Sequence, residues 1–294
     1  MISTNLMEKN NSASRLLRLF QDNQGRQHNT QVLSVWAEAF ELPSSLQTND
    51  IVAEATSLLA AADAELNAMK ATLLSKGVPE GLVVPYIERA RNAVSPTLLN
   101  NTWNNVVQHF AQDTLLAFQW FAYELNEDAH VVNQEDVTKL LAEMADLEAE
   151  LMTAELSVSL RLFLLSHLKL MRTALRQSRI AGARPLQKAV RTTLQECELE
   201  SEHLQEEVLA SAGTSTAKKV MEGFVKVWKG AVEACGDAEK LQKGAKVVGG
   251  AVTALLEHFW STSGNRQNPY ASTLKSAFRV TPIEWRKSFQ NPNG

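Results

Sequence analysis

Two Glu-x-x-His pairs, Glu127/His130 and Glu200/His203, stand out as residue types at a spacing that allows chemistry. Three residues along a helix put a carboxylate and an imidazole on one face, and helical bundles use two such pairs with two single glutamates to hold metal ions. Glu88 and Glu150 could supply the extra carboxylates. Position argues against this use. Glu127 and His130 fall between two helical segments, beside Asn133, whereas bundle ligands project inward from mid-helix. Glu200 and His203 sit in a run of glutamates beside a narrow apolar seam. A solvated acidic face is the preferred reading, and no metal or cofactor is expected. Lys243-Gly244-Ala245-Lys246 and Gly249-Gly250 lie on a helical pattern, not between a strand and a helix, so no phosphate loop is expected. No Ser/His/Asp or Cys/His set is placed for nucleophilic catalysis.

The elements that must position these residues are helices. Apolar residues recur at helical spacing nearly everywhere, with no sustained alternation of period two. The pattern predicts short helices at 14–20 and 30–41, separated by the turn formers Asp22-Asn23-Gln24-Gly25. An Ala-rich helix over 50–76 should stop at Gly77, and another over 79–94 contains Pro85. Ser95-Pro96 should open a helix to about Leu125. Its Trp103, Val107, Phe110, Phe118 and Phe121 form one broad stripe, read here as core.

One long helix is predicted over 136–178, capped by Asn133. Val137, Leu140, Met144, Leu147, Leu151, Ala154 and Val158 keep coiled-coil spacing along it, and a phase shift follows at Leu162 and Leu165. Val137, Leu140, Met144, Leu147 and Leu151 are the candidate interaction seam. Arg172, Arg176 and Arg179 gather at its end, before Gly182, and Pro185 starts an acidic return helix to about Ala210. The fold expected is all-α: a multi-helix bundle around one long central helix, with a C-terminal amphipathic helical hairpin. Its divisions are 1–130, 131–212 (one body with the first), a hairpin at 213–263 and a loosely structured tail at 264–294.

Charge singles out the hairpin. Residues 1–213 hold 17 Lys and Arg against 27 Asp and Glu, and residues 214–294 hold 12 against 6. On the first hairpin helix Val220, Met221, Phe224, Val225, Trp228, Val232 and Cys235 form an apolar face. Lys218, Lys219, Lys226 and Lys229 occupy the other, and Lys243 and Lys246 follow on the second helix. A basic amphipathic helix with Phe and Trp suits a membrane surface or an anionic partner. Docking on the acidic body is the preferred alternative, because most amphipathic helices cover a protein core. No apolar stretch is long enough to span a bilayer, and Met1–Ser14 lacks the features of a secretory signal. The expected location is cytoplasmic, with peripheral membrane contact as the alternative. Cys197 and Cys235 are read as reduced thiols.

Two resemblances accompany this reading. Arg161 and His167 have the Arg-x5-His spacing of HEPN ribonucleases, which are also all-helical, and this resemblance implies RNA cleavage by that pair. A polar residue usually follows the arginine in those enzymes, but Leu162 does here, and six helical residues turn the two side chains about 120° apart. A core histidine is the alternative for His167, which shares its face with Leu160, Leu164 and Met171. Val35-Trp36-Ala37-Glu38-Ala39-Phe40 and the stretch from Ser166 to Ala189 resemble all-helical bacterial proteins, some of which serve in phage defence. The function expected first is a non-enzymatic protein–protein interaction or oligomerisation protein. A membrane-acting effector and a ribonuclease are the alternatives. The aromatic helix region has no basic residue between Arg91 and Lys139, so nucleic acid is not an expected partner.

Overall fold

Local hydrogen-bond chemistry sets most helix boundaries. The computed structural model describes residues 9–44, 46–200, 206–207 and 215–236. These residues are largely helical and contain no strand, so the chain is all-α as expected. Helix α1 (Ser12–Gln24) opens on a reciprocal cap: Asn11 Oδ1 accepts from the Ser14 backbone at 3.1 Å, and Ser14 Oγ accepts from the Asn11 backbone at 3.0 Å. It runs through the predicted break, because the Asn23 amide donates to the Leu19 carbonyl one turn back at 2.8 Å. Helices α2 (Val32–Ala39), α3 (Thr48–Ser75) and α4 (Glu80–Ala93) follow. Gly77 adopts φ +82° just past α3, the left-handed conformation that suits glycine.

The predicted continuous helix over 96–125 is interrupted. It consists of a 3-10 turn at Pro96–Leu98, α5 (Asn104–Val107), a second 3-10 turn at Gln108–Phe110, and α6 (Gln112–Glu124). The cause is backbone exchange with the α1–α2 loop. Val32 and Leu33 donate to the carbonyls of Asn101 and Leu99, while Trp103 and Asn104 donate to those of Thr30 and His28. Groups paired with the loop are not available to an unbroken helix.

The single long helix predicted over 136–178 is two helices, α7 (Gln134–Thr153) and α8 (Val158–Ala181). Asn133 caps α7 as expected, accepting from the Glu135 backbone at 2.9 Å. Thr153, Ser157, Val158 and Ser159 bring poor helix formers to the joint. Ser157 starts α8 afresh, its Oγ accepting from the Leu160 backbone at 3.1 Å. Helices α9 (Arg184–Leu199) and α10 (Ser215–Ala234) complete the described elements. The predicted boundary at Gly213, the second hairpin helix and the tail lie outside the described residues, as do Lys243, Lys246 and His203.

The described residues divide into two compact units. The first comprises the chain up to Thr138 with Arg172–Leu186 and Ala234–Gly236. The second comprises Lys139–Met171 and the described part of Gln187–Glu233. In the first unit the predicted aromatic stripe is core. Phe20 stacks on Phe110 at 4.6 Å and meets Phe118 edge-on at 5.4 Å, and Trp36 meets Trp103 edge-on at 5.3 Å. Trp103 lies 5.9 Å from Phe110, which joins the rings into one continuous run.

Arginines tie the last turns of α8 and the start of α9 to this unit. Arg176, buried, meets Glu54 of α3 at 2.9 Å, and Arg179 meets Glu41. Arg184 reaches both carboxylate oxygens of the buried Glu65 at 2.6 and 2.5 Å. Arg15 of α1 donates to the Ile180 carbonyl at 2.9 Å and pairs with Asp128. Gly182, between α8 and α9, has φ +67°, and a Cβ there would sit 2.7 Å from Asp128 Oδ2 and 3.1 Å from an Arg15 guanidinium nitrogen. Gly77 also has a positive φ, but nothing lies within 4 Å of its Cβ position. Gly77→Ala should therefore cost about 1 kcal/mol for backbone strain alone, and Gly182→Ala about 2–4 kcal/mol for strain plus displacement of the ion pair. Urea unfolding of the two variants measures the difference, and equal costs would show that the Arg15–Asp128 pair yields freely.

Candidate functional site

The Arg161/His167 pair serves local structure. Arg161 turns back over the α7–α8 joint and donates to the Ala154 carbonyl at 2.7 Å. That carbonyl belongs to the turn after α7, where intrahelical donors run out. His167 is only 2% exposed. Its Nδ1 lies 2.8 Å from the Phe163 carbonyl, and its Nε2 lies 3.0 Å from Glu196 Oε2 on α9. Its ring rests 4.1 Å from that of Phe163. The two side chains thus engage different partners, Arg161 the joint and His167 the return helix.

The Glu-x-x-His residues are also separated in use. His130 Nε2 donates to the Ala234 carbonyl at 3.0 Å, and its ring lies against Gly236, whose φ of +67° ends α10. Glu88 pairs with Lys70 and Arg91, and Glu150 pairs with Lys219. Glu200 is exposed. Among the described residues no group of three or more His, Cys, Asp or Glu could hold a metal ion.

The basic helix and the interaction seam meet each other in the second unit. Gly223 of α10 lies against Leu147 of α7 and Gly230 against Leu140, with ideal Cβ positions 2.9 and 2.5 Å from the leucine methyls. Lys219 pairs with Glu150 at 2.5 Å and Lys226 with Glu143 at 2.9 Å. Each step of seven residues along α10 is matched by seven in the opposite direction along α7, so the two helices form an antiparallel heptad pair. Leu140, Met144, Leu147 and Leu151 are buried, as are Val220, Phe224, Val227, Trp228 and Ala231. The seam expected to meet another subunit is thereby filled within the chain, and Val137, in the first unit, is buried as well. The apolar face expected to suit a membrane, Phe224 and Trp228, is covered. Exposed ion pairs are worth about 0–1 kcal/mol each, against about 1.5–3 kcal/mol for each large apolar side chain buried. Adhesion therefore comes from the apolar contacts, and the glycine–leucine contacts and the lysine pairs share one register. The side chain of Lys218 lies outside the described residues, and Lys229, on the same helix, is half-buried. Among the described residues no helix is long and apolar enough to cross a membrane.

A surface that exposes aromatic together with aliphatic side chains lies in the first unit. On α6, Phe118 and Phe121 point into the core while Leu116, Trp120 and Tyr123 are 55%, 37% and 57% exposed. Helix α4 contributes Leu82, 53% exposed, with Tyr86 and Arg89 one and two turns on. The two helices run antiparallel: Arg89 bonds Asp113 at the start of α6, and Lys76, just before α4, donates to the Glu124 carbonyl at its end. Leu82, Tyr86 and Arg89 therefore lie on the antiparallel neighbour of the helix that carries Leu116, Trp120 and Tyr123. The Arg89 bond holds the Asp113 carboxyl below the usual carboxylate range. Arg89 lies 5.8 Å from the Tyr86 ring centre, and Lys9 lies 4.9 Å from that of Tyr123. Trp120 and Tyr123 lie within the stretch predicted as the aromatic helix but outside the stripe of Trp103, Val107, Phe110, Phe118 and Phe121. That offset was the available signal of their exposure.

No family model, curated protein or solved structure matches this chain.

Two measurements test the α7–α10 contact and the burial of Glu65. Gly230→Ala should destabilise the chain by about 1–3 kcal/mol through overpacking on Leu140, and adding Leu140→Ala should cost less than the two single changes summed. Strict additivity in a denaturation cycle would remove the close α7–α10 contact. Burial pushes the Glu65 carboxyl above its ordinary 4.5, with Arg184 and Arg15 pulling part of the way back. A raised folded-state value means that this group's contribution is fully present below about pH 4.5 and is lost as pH rises through the folded value. Glu65→Gln should accordingly be less damaging at pH 7 than at pH 4, read by urea unfolding at both. A pH-independent cost would contradict the burial.

Proposed function

We propose that this chain is a non-enzymatic protein-interaction module whose binding surface is the α4–α6 face. The observation that carries the reading is the exposure of Trp120 and Tyr123 beside Leu116, Leu82, Tyr86 and Arg89. Trp, Tyr and Arg dominate the energetics of protein interfaces, and a contiguous apolar strip on an otherwise charged surface is the usual mark of one. The second unit also exposes apolar side chains, Met152, Val158 and Leu162, around the α7–α8 joint. These are aliphatic and lack the aromatic and arginine anchors. The membrane reading draws no support from α10, whose Phe224 and Trp228 are buried, and the nuclease reading draws none from Arg161 and His167, which turn to separate partners.

The test uses the full-length chain as bait. Trp120→Ser with Tyr123→Ser should reduce capture of a binding protein by roughly tenfold to several hundredfold, in keeping with about 1.5–3.5 kcal/mol for two truncated anchors. Unfolding stability should change by less than about 0.5 kcal/mol per site, because both side chains are at the surface. Capture that is indifferent to the double substitution would sink this reading.

A further inference from the structure

We propose that the occupant of the α4–α6 face is a second copy of this chain, docked about a two-fold axis at the midpoint of α6. This rests on the α4–α6 face being the binding surface. Three observations support it. The first is the spacing of the exposed stripe. Asp113, Leu116, Trp120 and Tyr123 follow one another at intervals of three, four and three residues, which reads the same in both directions. Two α6 helices laid antiparallel about a two-fold through the level of Phe118 bring Leu116 of one against Trp120 of the other, twice. A closed dimer requires this property, one patch complementary to itself.

Charge is the second observation. The same symmetry brings Asp113 of one chain to the Tyr123 end of the other, about 15 Å along the helix. Lys9 sits there, its ammonium 4.9 Å from the Tyr123 ring centre and donating to the Tyr123 carbonyl at 2.6 Å. Lys76 is beside it, donating to the Glu124 carbonyl. Both ammoniums are partnered by backbone oxygens, and no carboxylate of the described residues lies within ion-pair distance of either. The Asp113 side chain is half exposed, its Oδ1 accepting from the Thr114 backbone at 2.9 Å and its Oδ2 from Arg89. An antiparallel self-pairing would thus set the Asp113 carboxylate, shared with Arg89 of its own chain, against the Lys9 and Lys76 ammoniums of the other.

Area is the third. Leu82, Leu116, Trp120, Tyr123 and the half-buried Tyr86 together offer on the order of 400–500 Å² of apolar surface. A standard interface buries about 800 Å² per partner, and homodimer interfaces are about 65% apolar, or roughly 500 Å². The strip matches the apolar part of one two-fold interface.

The experiment is sedimentation equilibrium of the full-length chain from about 1 to 100 μM. Wild type should pass from the mass of one chain to that of two within this range. Trp120→Asp should weaken association at least a hundredfold. Asp113→Lys should weaken it about tenfold, and the charge exchange Asp113→Lys with Lys9→Asp should recover most of the loss, which a purely local role of Asp113 beside Arg89 would not produce. Rescue and loss together support the two-fold. A single-chain mass at 100 μM, a dimer unaffected by Trp120→Asp, or no recovery on charge exchange would overturn it. A monomer whose capture of another protein still depends on Trp120 would overturn the two-fold and leave the binding face standing. A monomer without such capture would remove both.

Discussion

The rotation of α6 is fixed by two rings. Phe118 and Phe121 must enter the aromatic run formed by Phe20 and Phe110, and a helix turning 100° per residue has no freedom left once two neighbouring positions are committed. Leu116, Trp120 and Tyr123 are consequently carried outward. Exposure of this strip is thus a geometric result of core packing, and the α4 side chains beside it are aligned by the antiparallel path from Lys76 to Arg89. The interior that holds the first unit together also sets its outer face.

In the second unit the corresponding constraint is closeness. Two glycines spaced a heptad apart on α10 receive two leucines spaced a heptad apart on α7. With the backbones this close, Lys219 and Lys226 reach Glu150 and Glu143 along the same flank. An apolar seam and a basic amphipathic helix, each of which alone suggests an external partner, satisfy each other inside one chain. His167 and Glu196 make a comparable link between α8 and α9, with Phe163 closing one side of the imidazole.

The all-α class was legible in the sequence because apolar spacing speaks to helix formation directly. So were the caps at Asn133, Gly77 and Gly182, where side-chain chemistry or a positive φ is a local requirement. The interruptions were not. The break between Pro96 and Gln112 follows from bonds to Thr30 and His28, some seventy residues earlier in the chain. The joint at Ala154–Ser157 had a partial signal in the phase shift toward Leu162, but apolar periodicity continues across it. Among candidate site residues, burial of His167 was foreseeable from its neighbours one turn away. The partners of Arg161, His130 and Glu150 were not, since each depends on an element distant in sequence. Trp120 and Tyr123 were readable only by asking which aromatics the main stripe leaves out.

The joint after α7 also governs how this chain can vary in length. Inside a continuous helix, one inserted or deleted residue swings everything beyond it by 100° and turns a buried face toward water. Here α7 ends before α8 begins, and Ser157 restarts the second helix with its own cap. The azimuth of Leu160, Leu164 and Met171 is therefore referenced to Ser157 rather than to the heptads of α7. A change of one residue between Thr153 and Ser157 is absorbed as loop, and the joint is the place on this backbone where divergent lengths can accumulate without rotating the faces on either side.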